Sequence, residues 1–150
     1  MSVCLRYTPT RDDALELAHD AFLRAFGALD RVDEDRPFKP WFRSVLVRAA
    51  IDRHRSVRRH LATIAHEADP PAVSVAPGHS ITLEADEILS LLAGLPDTER
   101  AVFNLYEVEG YTHEEIAGLL SIAPGTSRSH LTRAKRRLRS LYHAHTRALS

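Results

Sequence analysis

Residues 112–139 of this chain read Thr112-His-Glu-Glu-Ile-Ala-Gly-Leu-Leu-Ser-Ile-Ala-Pro-Gly-Thr-Ser-Arg-Ser-His-Leu-Thr-Arg-Ala-Lys-Arg-Arg-Leu-Arg139. Thr112 and Glu115 have the Thr-x-x-Glu spacing of a capping box, in which each side chain binds an otherwise unpaired backbone N–H at a helix start. Pro124 follows a short turn and suits the first turn of a second helix, where its missing N–H is not needed. The segment is therefore predicted to be a helix-turn-helix motif.

The second of these helices has two chemically different faces. Leu131, Ala134 and Leu138 recur at steps of three and four residues and should face the core. The opposite face has no acidic residue and carries arginines and hydroxyls in its first turns, where a recognition helix reaches base edges. An arginine there can donate two hydrogen bonds to guanine, whereas cations further along suit phosphates. The predicted DNA-binding residues are Arg128, Ser129, Thr132, Arg133, Arg136 and Arg137.

The formal net charge of zero hides a strong separation of charge along the chain. Residues 43–60 contain six arginines and a single acid, and residues 124–147 contain seven cations and no acid. Residues 12–35 are rich in acids instead, and residues 84–115 contain nine acids and one cation. This separation indicates nucleic acid on the basic faces and a basic partner on the acidic ones.

Several functional classes find no support in the sequence. Cys4 is the single cysteine, which excludes an internal disulfide and a thiolate metal cluster. The histidines lack metal-site spacing, and there is no glycine-rich phosphate loop or nucleophile elbow. No apolar run has the length of a membrane span, and no signal-peptide pattern is present. We therefore expect a cytoplasmic protein that is not an enzyme and that holds no metal and no cofactor.

Residues 64–81 contain three prolines and a glycine without helical periodicity, which is typical of a semi-extended linker. This linker divides the chain into an N-terminal domain of residues 1–63 and a C-terminal domain of residues 82–150. In both domains the apolar residues recur at helical spacing. The predicted fold class is all-α, with two small helical domains joined by a proline-containing linker.

Two helices are predicted in the N-terminal domain. The first begins near Asp12 and Asp13, whose negative charge suits a helix N-terminus. The second runs from Pro40 to Arg59, and its arginines surround an apolar face. The predicted apolar residues are Ala14, Leu17, Ala18, Ala21, Phe22, Ala25 and Phe26 in the first helix, and Trp41, Phe42, Val45, Leu46, Ala49 and Ile51 in the second.

Two further helices precede the helix-turn-helix motif in the C-terminal domain, which makes this domain a four-helix unit. The first is predicted from Thr82 to Ala93. Asp97 is placed to cap the second, and Gly110 is a plausible stop for it. The predicted inward-facing residues of the second helix are Ala101, Val102, Leu105 and Tyr106.

Together these segments resemble the extracytoplasmic-function class of bacterial sigma factors, in the sigma-70 family. Asp12–Phe26 is similar to the helix of that class that binds core RNA polymerase. Pro37–Arg55 is similar to the helix that melts and reads the −10 promoter element. Leu95–Phe103, Gly110–Ala117 and Gly125–Ala134 are similar to the region that reads the −35 element. The resemblance covers nearly the whole chain.

This resemblance implies roles for particular residues. Arg128, Ser129, Thr132 and Arg133 fall on the positions that contact the −35 element. The acidic loop around Asp30–Arg36 falls where a base flipped out of the −10 element is captured. In that class the N-terminal domain, called region 2, begins with a longer helix, to which only Met1–Tyr7 corresponds here. Region 2 of this chain is therefore expected to be shortened. The implied −10 residues are Lys39, Trp41, Arg43, Arg48, Arg53 and Arg55, and the implied polymerase-binding residues are Asp13, Glu16, Leu17 and Asp20.

The resemblance also implies the partners, which are core RNA polymerase, promoter DNA and an anti-sigma factor, without insertion into a membrane. We expect two separate lobes that contact different stretches of DNA while polymerase holds them apart. A single fused body, or burial of Arg128 and Arg133, would contradict this expectation.

Two other functions fit parts of the sequence. A transcriptional regulator could use a similar helix-turn-helix domain to bind operator DNA as a dimer. It would need a ligand pocket, a phosphoacceptor or a dimer seam in the N-terminal domain, where the sequence instead offers a basic helix beside an acidic one. A truncated sigma-like module could bind polymerase or an anti-sigma protein without starting transcription.

Overall fold

The structure is a computed structural model and describes residues 1–64 and 83–148. The predicted linker, residues 64–81, falls outside the described residues except for the backbone of residue 64. All long elements in the two described ranges are helices, which confirms the all-α class. None of these helices combines the length and the apolar character needed to cross a bilayer. They are α1 (Ser2–Tyr7), α2 (Arg11–Ala28), α3 (Phe38–Ile64), α4 (Leu83–Ala93), α5 (Asp97–Phe103), α6 (His113–Leu120) and α7 (Pro124–Ala148), with a 3₁₀ turn at Leu29–Arg31 and a π-helical turn at Asn104–Val108.

The N-terminal lobe, residues 1–64, is organised by the close packing of α2 on α3. Helix α2 begins at Thr10, whose Oγ1 accepts a hydrogen bond from the N–H of Asp13 at 3.1 Å. The buried face of α2 consists mostly of alanines, and small side chains let two helices approach closely. The core of this lobe is formed by Cys4, Ala14, Leu17, Ala21, Leu46, Ala49 and Ala50.

Two phenylalanines of α2 do not lie in this core, contrary to the predicted apolar stripe. Phe22 is 58% exposed and Phe26 is 68% exposed. The stripe that is buried is narrower, because the short alanines leave no room between α2 and α3 for an aromatic ring. Phe22 instead packs edge-on against Phe42 at the border of the helix pair, with 5.9 Å between ring centroids.

The C-terminal lobe, residues 83–148, contains the predicted helix-turn-helix in α6 and α7. The capping box is present, since Thr112 Oγ1 accepts from the N–H of Glu115 at 3.2 Å and Glu115 Oε2 accepts from the N–H of Thr112 at 2.8 Å. Ser121 adopts the left-handed conformation with φ of 57° and ends α6, and Pro124 is the first residue of α7. Leu131 is buried on the inner side of α7, as predicted.

Two details of α5 differ from the prediction. Asp97 was expected to cap the helix, but it is the first helical residue, and its carboxylate binds Arg100 in the next turn. Tyr106 was expected to face inward, but it is 37% exposed and stacks on His113. It lies in the π-helical turn, where extra residues per turn rotate the following side chains away from the α-helical stripe. The π-helical turn is followed by Gly110, whose φ of +80° confirms it as a stop.

The two lobes share one hydrophobic core, so the expected separation of the lobes is not observed. Val47 and Ile51 of α3 are 3% and 5% exposed, and they pack with fully buried residues of the C-terminal lobe. The physical reason is that α3 carries a second apolar face beside the one that packs on α2. The residues of this shared core are Val47, Ile51, Ala101, Val102, Leu105, Ile116, Leu120 and Leu131.

Candidate nucleic-acid interface

The first turns of α7 present the predicted base-reading residues to solvent. Arg128, Ser129, Thr132 and Arg133 are all exposed. The Ser129 and Thr132 hydroxyls donate to backbone carbonyls one turn earlier at 3.1 Å, and Arg133 Nε donates to the Ser129 carbonyl at 3.3 Å. Arg128 pairs with Glu114 of α6 at 2.9 Å, and both side chains are more than half exposed. Such an exposed ion pair contributes little energy, so the Arg128 guanidinium can leave Glu114 and bind another anion, such as a DNA phosphate.

The angle between α6 and α7 is fixed by a hydrogen bond that the sequence analysis did not identify. Ser127 is fully buried, and its Oγ lies 2.9 Å from Nδ1 of His113 at the start of α6. The ring of His113 stacks on Tyr106 with 4.5 Å between centroids. The available signal was the spacing of Ser127 four residues before Leu131, which places a small polar residue on the inner stripe of α7.

The cations further along α7 differ in their surroundings. Arg136 is exposed, and among the described residues no acid lies within ion-pair distance of it. Arg137 forms an ion pair with the buried Glu99 of α5, with 2.9 Å between Nε and Oε2. Lys135 pairs with Glu107. Arg136 is therefore free to meet a phosphate, whereas Arg137 also anchors α7 to α5.

We expect Thr112→Ala to destabilise the C-terminal lobe by about 1 kcal/mol, because the alanine leaves the N–H of Glu115 without its side-chain acceptor. Chemical denaturation of the full chain measures this loss. Ser140→Ala is the matched control, because the Ser140 hydroxyl donates to the carbonyl of Arg136 in its own helix and caps no helix start. Equal stability of Thr112→Ala and the wild type would show that the capping box contributes nothing.

The six predicted −10 residues lie along or near the start of α3. Lys39, Arg48 and Arg55 are exposed. Trp41 is half-buried, and its ring centroid lies 5.5 Å from that of Phe38.

The other two predicted −10 residues have acidic partners within the chain. Arg43 donates to both carboxylate oxygens of Glu109 in the C-terminal lobe, at 3.0 and 3.1 Å. Arg53 binds Asp13 and Glu16 of α2. Arg53 therefore acts here as a brace between α2 and α3 rather than as a free cation.

The predicted polymerase-binding residues of α2 fall into two groups. Leu17 is 2% exposed and belongs to the core, so its side chain is not available to a partner in this structure. Glu16 and Asp20 are exposed, and Asp20 pairs with Arg24 at 3.0 Å. Asp13 is partly buried by its contact with Arg53. A partner of this helix would therefore meet Glu16 and Asp20 first.

A second apolar face of α2 was missed by the sequence analysis. Leu15, Leu23 and the two exposed phenylalanines of this helix lie away from the core. Positions 15, 22, 23 and 26 recur at helical spacing, which was the available signal. The face continues onto the next helix through Phe38, whose ring stacks on Phe42 with 5.7 Å between centroids.

His54 of α3 lies at the contact between the lobes. Burial, together with the positive charges of Arg58 and Arg100, lowers its pKa from 6.5 to about 4, although Asp97 acts in the opposite direction. Its Nε2 is buried and has no hydrogen-bond partner among the residues that the structure describes. A positive charge on His130 of α7 also lowers the pKa of His54, and burial lowers the pKa of His130 itself.

We expect the folded state to lose stability as the pH falls from about 6.5 towards about 4, because the unfolded chain then binds a proton at His54 that the folded chain excludes. Above pH 6.5, where His54 is neutral in both the folded and the unfolded chain, the folded state keeps its full stability with respect to this group. Urea unfolding at a series of pH values measures the slope, and His54→Gln should reduce it. His143→Gln is the control, since His143 is exposed. An unchanged slope in His54→Gln would assign it to other groups.

Comparisons with known proteins match both parts of this chain to one protein family. The sequence model of Sigma-70 region 2 matches residues 1–60, and that of Sigma-70, region 4 matches residues 85–138. The probable RNA polymerase sigma factor RfaY of Xanthomonas campestris pv. campestris is 32% identical over 142 residues, which cover 87% of this chain and 35% of RfaY. The ECF RNA polymerase sigma factor ShbA of Streptomyces griseus subsp. griseus is 31% identical over 133 residues, which cover 84% of this chain and 70% of ShbA.

The chain thus spans about a third of the length of RfaY and over two thirds of that of ShbA. A solved structure has a similar fold, with a TM-score of 0.56, 21% identity, and coverage of 94% of this chain and 88% of the other. It is the sigma factor RpoE from Bartonella quintana in complex with the anti-sigma factor NepR.

Proposed function

This chain belongs to the extracytoplasmic-function class of the sigma-70 family of RNA polymerase sigma factors, and we propose that it directs core RNA polymerase to promoters by contacting the −35 and −10 elements. The observation that carries the proposal is the exposed, acid-free face of α7 behind a capped α6. In this role the chain supplies specificity and carries out no catalysis. It acts in the cytoplasm, where polymerase and chromosome meet.

The C-terminal lobe reads the −35 element through the start of α7. Arg128 and Arg133 donate to base edges in the major groove, and a paired contact with guanine discriminates against other bases. Ser129 and Thr132 add short hydrogen bonds once their hydroxyls turn away from the helix backbone. Arg136 contacts the phosphate backbone and sets the position of the helix.

The N-terminal lobe contacts the −10 element through α3 and the loop before it. Lys39, Arg48 and Arg55 are exposed cations that attract the DNA backbone. The loop Asp30–Arg36 captures a flipped base, whose extrusion costs a few kcal/mol that the surrounding contacts must offset. Trp41 supports the start of α3 from its half-buried position against Phe38.

Core polymerase binds α2 in this proposal. Glu16 and Asp20 supply the charge, and the exposed apolar face with Phe22 and Phe26 supplies the area that a stable contact needs. An anti-sigma factor is the expected negative regulator, by analogy with the partner named for the Bartonella structure.

Run-off transcription tests the proposal. Core polymerase is mixed with the full chain and a set of promoter fragments, and we expect specific transcripts only when the chain is present. Core polymerase alone is the control. If no transcript depends on the chain while a dimer of it shifts DNA without polymerase, the chain is instead a conventional regulator. If it binds polymerase but yields no transcript, it is an interaction module.

A further inference from the structure

Two side-chain contacts join the start of α6 to the first turns of α7, and each spans 14 positions of the chain. In the first, Nδ1 of His113 lies 2.9 Å from Oγ of the fully buried Ser127. In the second, Glu114 and Arg128 form an ion pair whose two side chains are more than half exposed. An exposed ion pair contributes little energy, whereas a buried hydrogen bond is strengthened by its surroundings. The contact between His113 and Ser127 is therefore the one that can hold α7 in place.

The direction of this buried hydrogen bond follows from the other acceptors near the Ser127 hydroxyl. The hydroxyls of Ser129 and Thr132 donate to backbone carbonyls one turn earlier in α7. Ser127 makes no such bond, and among the described residues its Oγ has Nδ1 of His113 as its hydrogen-bond partner. A buried hydroxyl that donated to nothing would destabilise the fold, so Ser127 donates and Nδ1 accepts. The proton of the neutral His113 ring then lies on Nε2.

The ring of His113 is also held from two other directions. The backbone of His113 follows the capping box formed by Thr112 and Glu115, which fixes the start of α6. The ring itself stacks on Tyr106, with 4.5 Å between centroids and 19° between planes. Tyr106 belongs to the π-helical turn Asn104–Val108, and such turns frequently occur at functional sites. The turn places an aromatic ring where it restricts the rotation of His113.

We propose that His113 is a positioning residue for base recognition, because its hydrogen bond to Ser127 sets the position of the first turns of α7. This inference rests on the proposed reading of the −35 element by α7. Arg128 comes directly after Ser127 in the chain. A paired contact between an arginine and guanine needs both hydrogen bonds at the right distance and angle, so a small displacement of α7 removes it. A phosphate contact tolerates the same displacement, because the attraction between charges falls off gradually with distance.

Nitrogen NMR of the His113 ring in the free full chain tests the hydrogen bond without DNA. In mildly alkaline buffer, where an imidazole is neutral, we expect the ring proton on Nε2 in the unaltered chain and a mixture of both tautomers in Ser127→Ala. Ser140→Ala is the control, because the exposed Ser140 hydroxyl donates to a carbonyl of its own helix. A ring proton on Nδ1 in the unaltered chain, or a tautomer that Ser127→Ala leaves unchanged, would overturn the proposal.

Base recognition is measured on the complex of core polymerase with the full chain. Promoter fragments randomised over the −35 element first select the preferred sequence, and discrimination is the ratio of affinities for that sequence and for one with a changed base pair. We expect His113→Gln and Ser127→Ala to lower this ratio roughly tenfold, the size of one paired base contact, without weakening binding to the changed fragment. The double variant should lose no more than either single variant, since both remove the same hydrogen bond.

His113→Asn is the conservative variant, because the amide oxygen of asparagine can lie near the position of Nδ1 and accept from Ser127, whereas the amide of glutamine reaches further. It should keep most of the discrimination of the wild type. Circular dichroism and urea unfolding confirm that each variant is folded. Ser140→Ala should again match the wild type.

Three results would each overturn the positioning role. They are equal discrimination in all variants, additive losses in the double variant, and an equal fall in affinity for both fragments. If the complex prefers no −35 sequence at all, the proposed function fails and the positioning role falls with it. The NMR measurement distinguishes that outcome from a missing hydrogen bond, because it uses the free chain.

Discussion

Replacing Arg100 with alanine should lower the free energy of unfolding by about 2–5 kcal/mol, the range for loss of a large buried side chain. The Arg100 guanidinium is 2% exposed and donates to the carbonyl of Leu95 at 2.8 Å, to that of Tyr7 at 3.3 Å and to the carboxylate of Asp97. Alanine leaves these acceptors without their donor and leaves a void beside a cavity of about 270 Å³. Burial lowers the pKa of Arg100, and the Asp97 carboxylate acts in the opposite direction.

Urea denaturation of the full chain measures this effect. Arg136→Ala is the matched control, because an exposed arginine of α7 should change stability by no more than about 0.5 kcal/mol. Arg100→Met fills most of the volume but restores no donor, so the difference between the two Arg100 variants isolates the cavity. A loss below about 1 kcal/mol in Arg100→Ala would mean that the hydrogen bonds and packing of Arg100 are not required for the stability of the fold.

Arg133→Ala should weaken recognition of the −35 element by ~1–3 kcal/mol, the discrimination supplied by one paired contact with a base. Arg133 is exposed on the face of α7 that we propose to contact DNA, and its Nε donates to the carbonyl of Ser129 at 3.3 Å. The variant should also relax the preference for one base pair while leaving the salt dependence of binding nearly unchanged, because base contacts release no condensed ions.

Binding of the polymerase complex to promoters changed at each −35 position measures this loss. Arg147→Ala, at the exposed end of the same helix, is the control. If the base preference is unchanged and the salt slope falls by about one, Arg133 contacts a phosphate instead.

The helix-turn-helix was predictable because its signals are local. The capping pair Thr112 and Glu115, the turn and Pro124 lie within a few residues of one another, and each has a single structural meaning. The inner stripe of α7 follows from helical periodicity, and the exposure of Arg128 and Arg133 follows from that stripe.

The contact between the lobes was not predictable because its partners are distant in sequence. Arg100 and the carbonyl of Tyr7 are 93 positions apart. On a helical pattern Arg100 and Asn104 look like solvent-facing residues, and the hydrogen bonds that they donate to the end of α1 are part of what makes their burial favourable. Val47 was not among the predicted apolar residues of α3, although it lies on the side that the C-terminal lobe covers.

The width of the buried apolar stripe on α2 could not be predicted from the helical periodicity of the sequence either. Phe22 and Phe26 lie on the border between two faces, and a pattern of apolar residues does not say on which side of the border each one falls. The small size of Ala14 and Ala21 decides this, because close helices leave space for a methyl group and not for a ring.

Permanganate reactivity of promoter thymines measures the central function most directly, because it detects unpaired bases. With core polymerase and this chain together, thymines of the −10 element should become reactive, and neither component alone should produce the signal. Either of two results would contradict the proposed sigma-factor function. One is that the thymines never become reactive, and the other is that the chain binds promoter DNA fully without polymerase and leaves it unmelted.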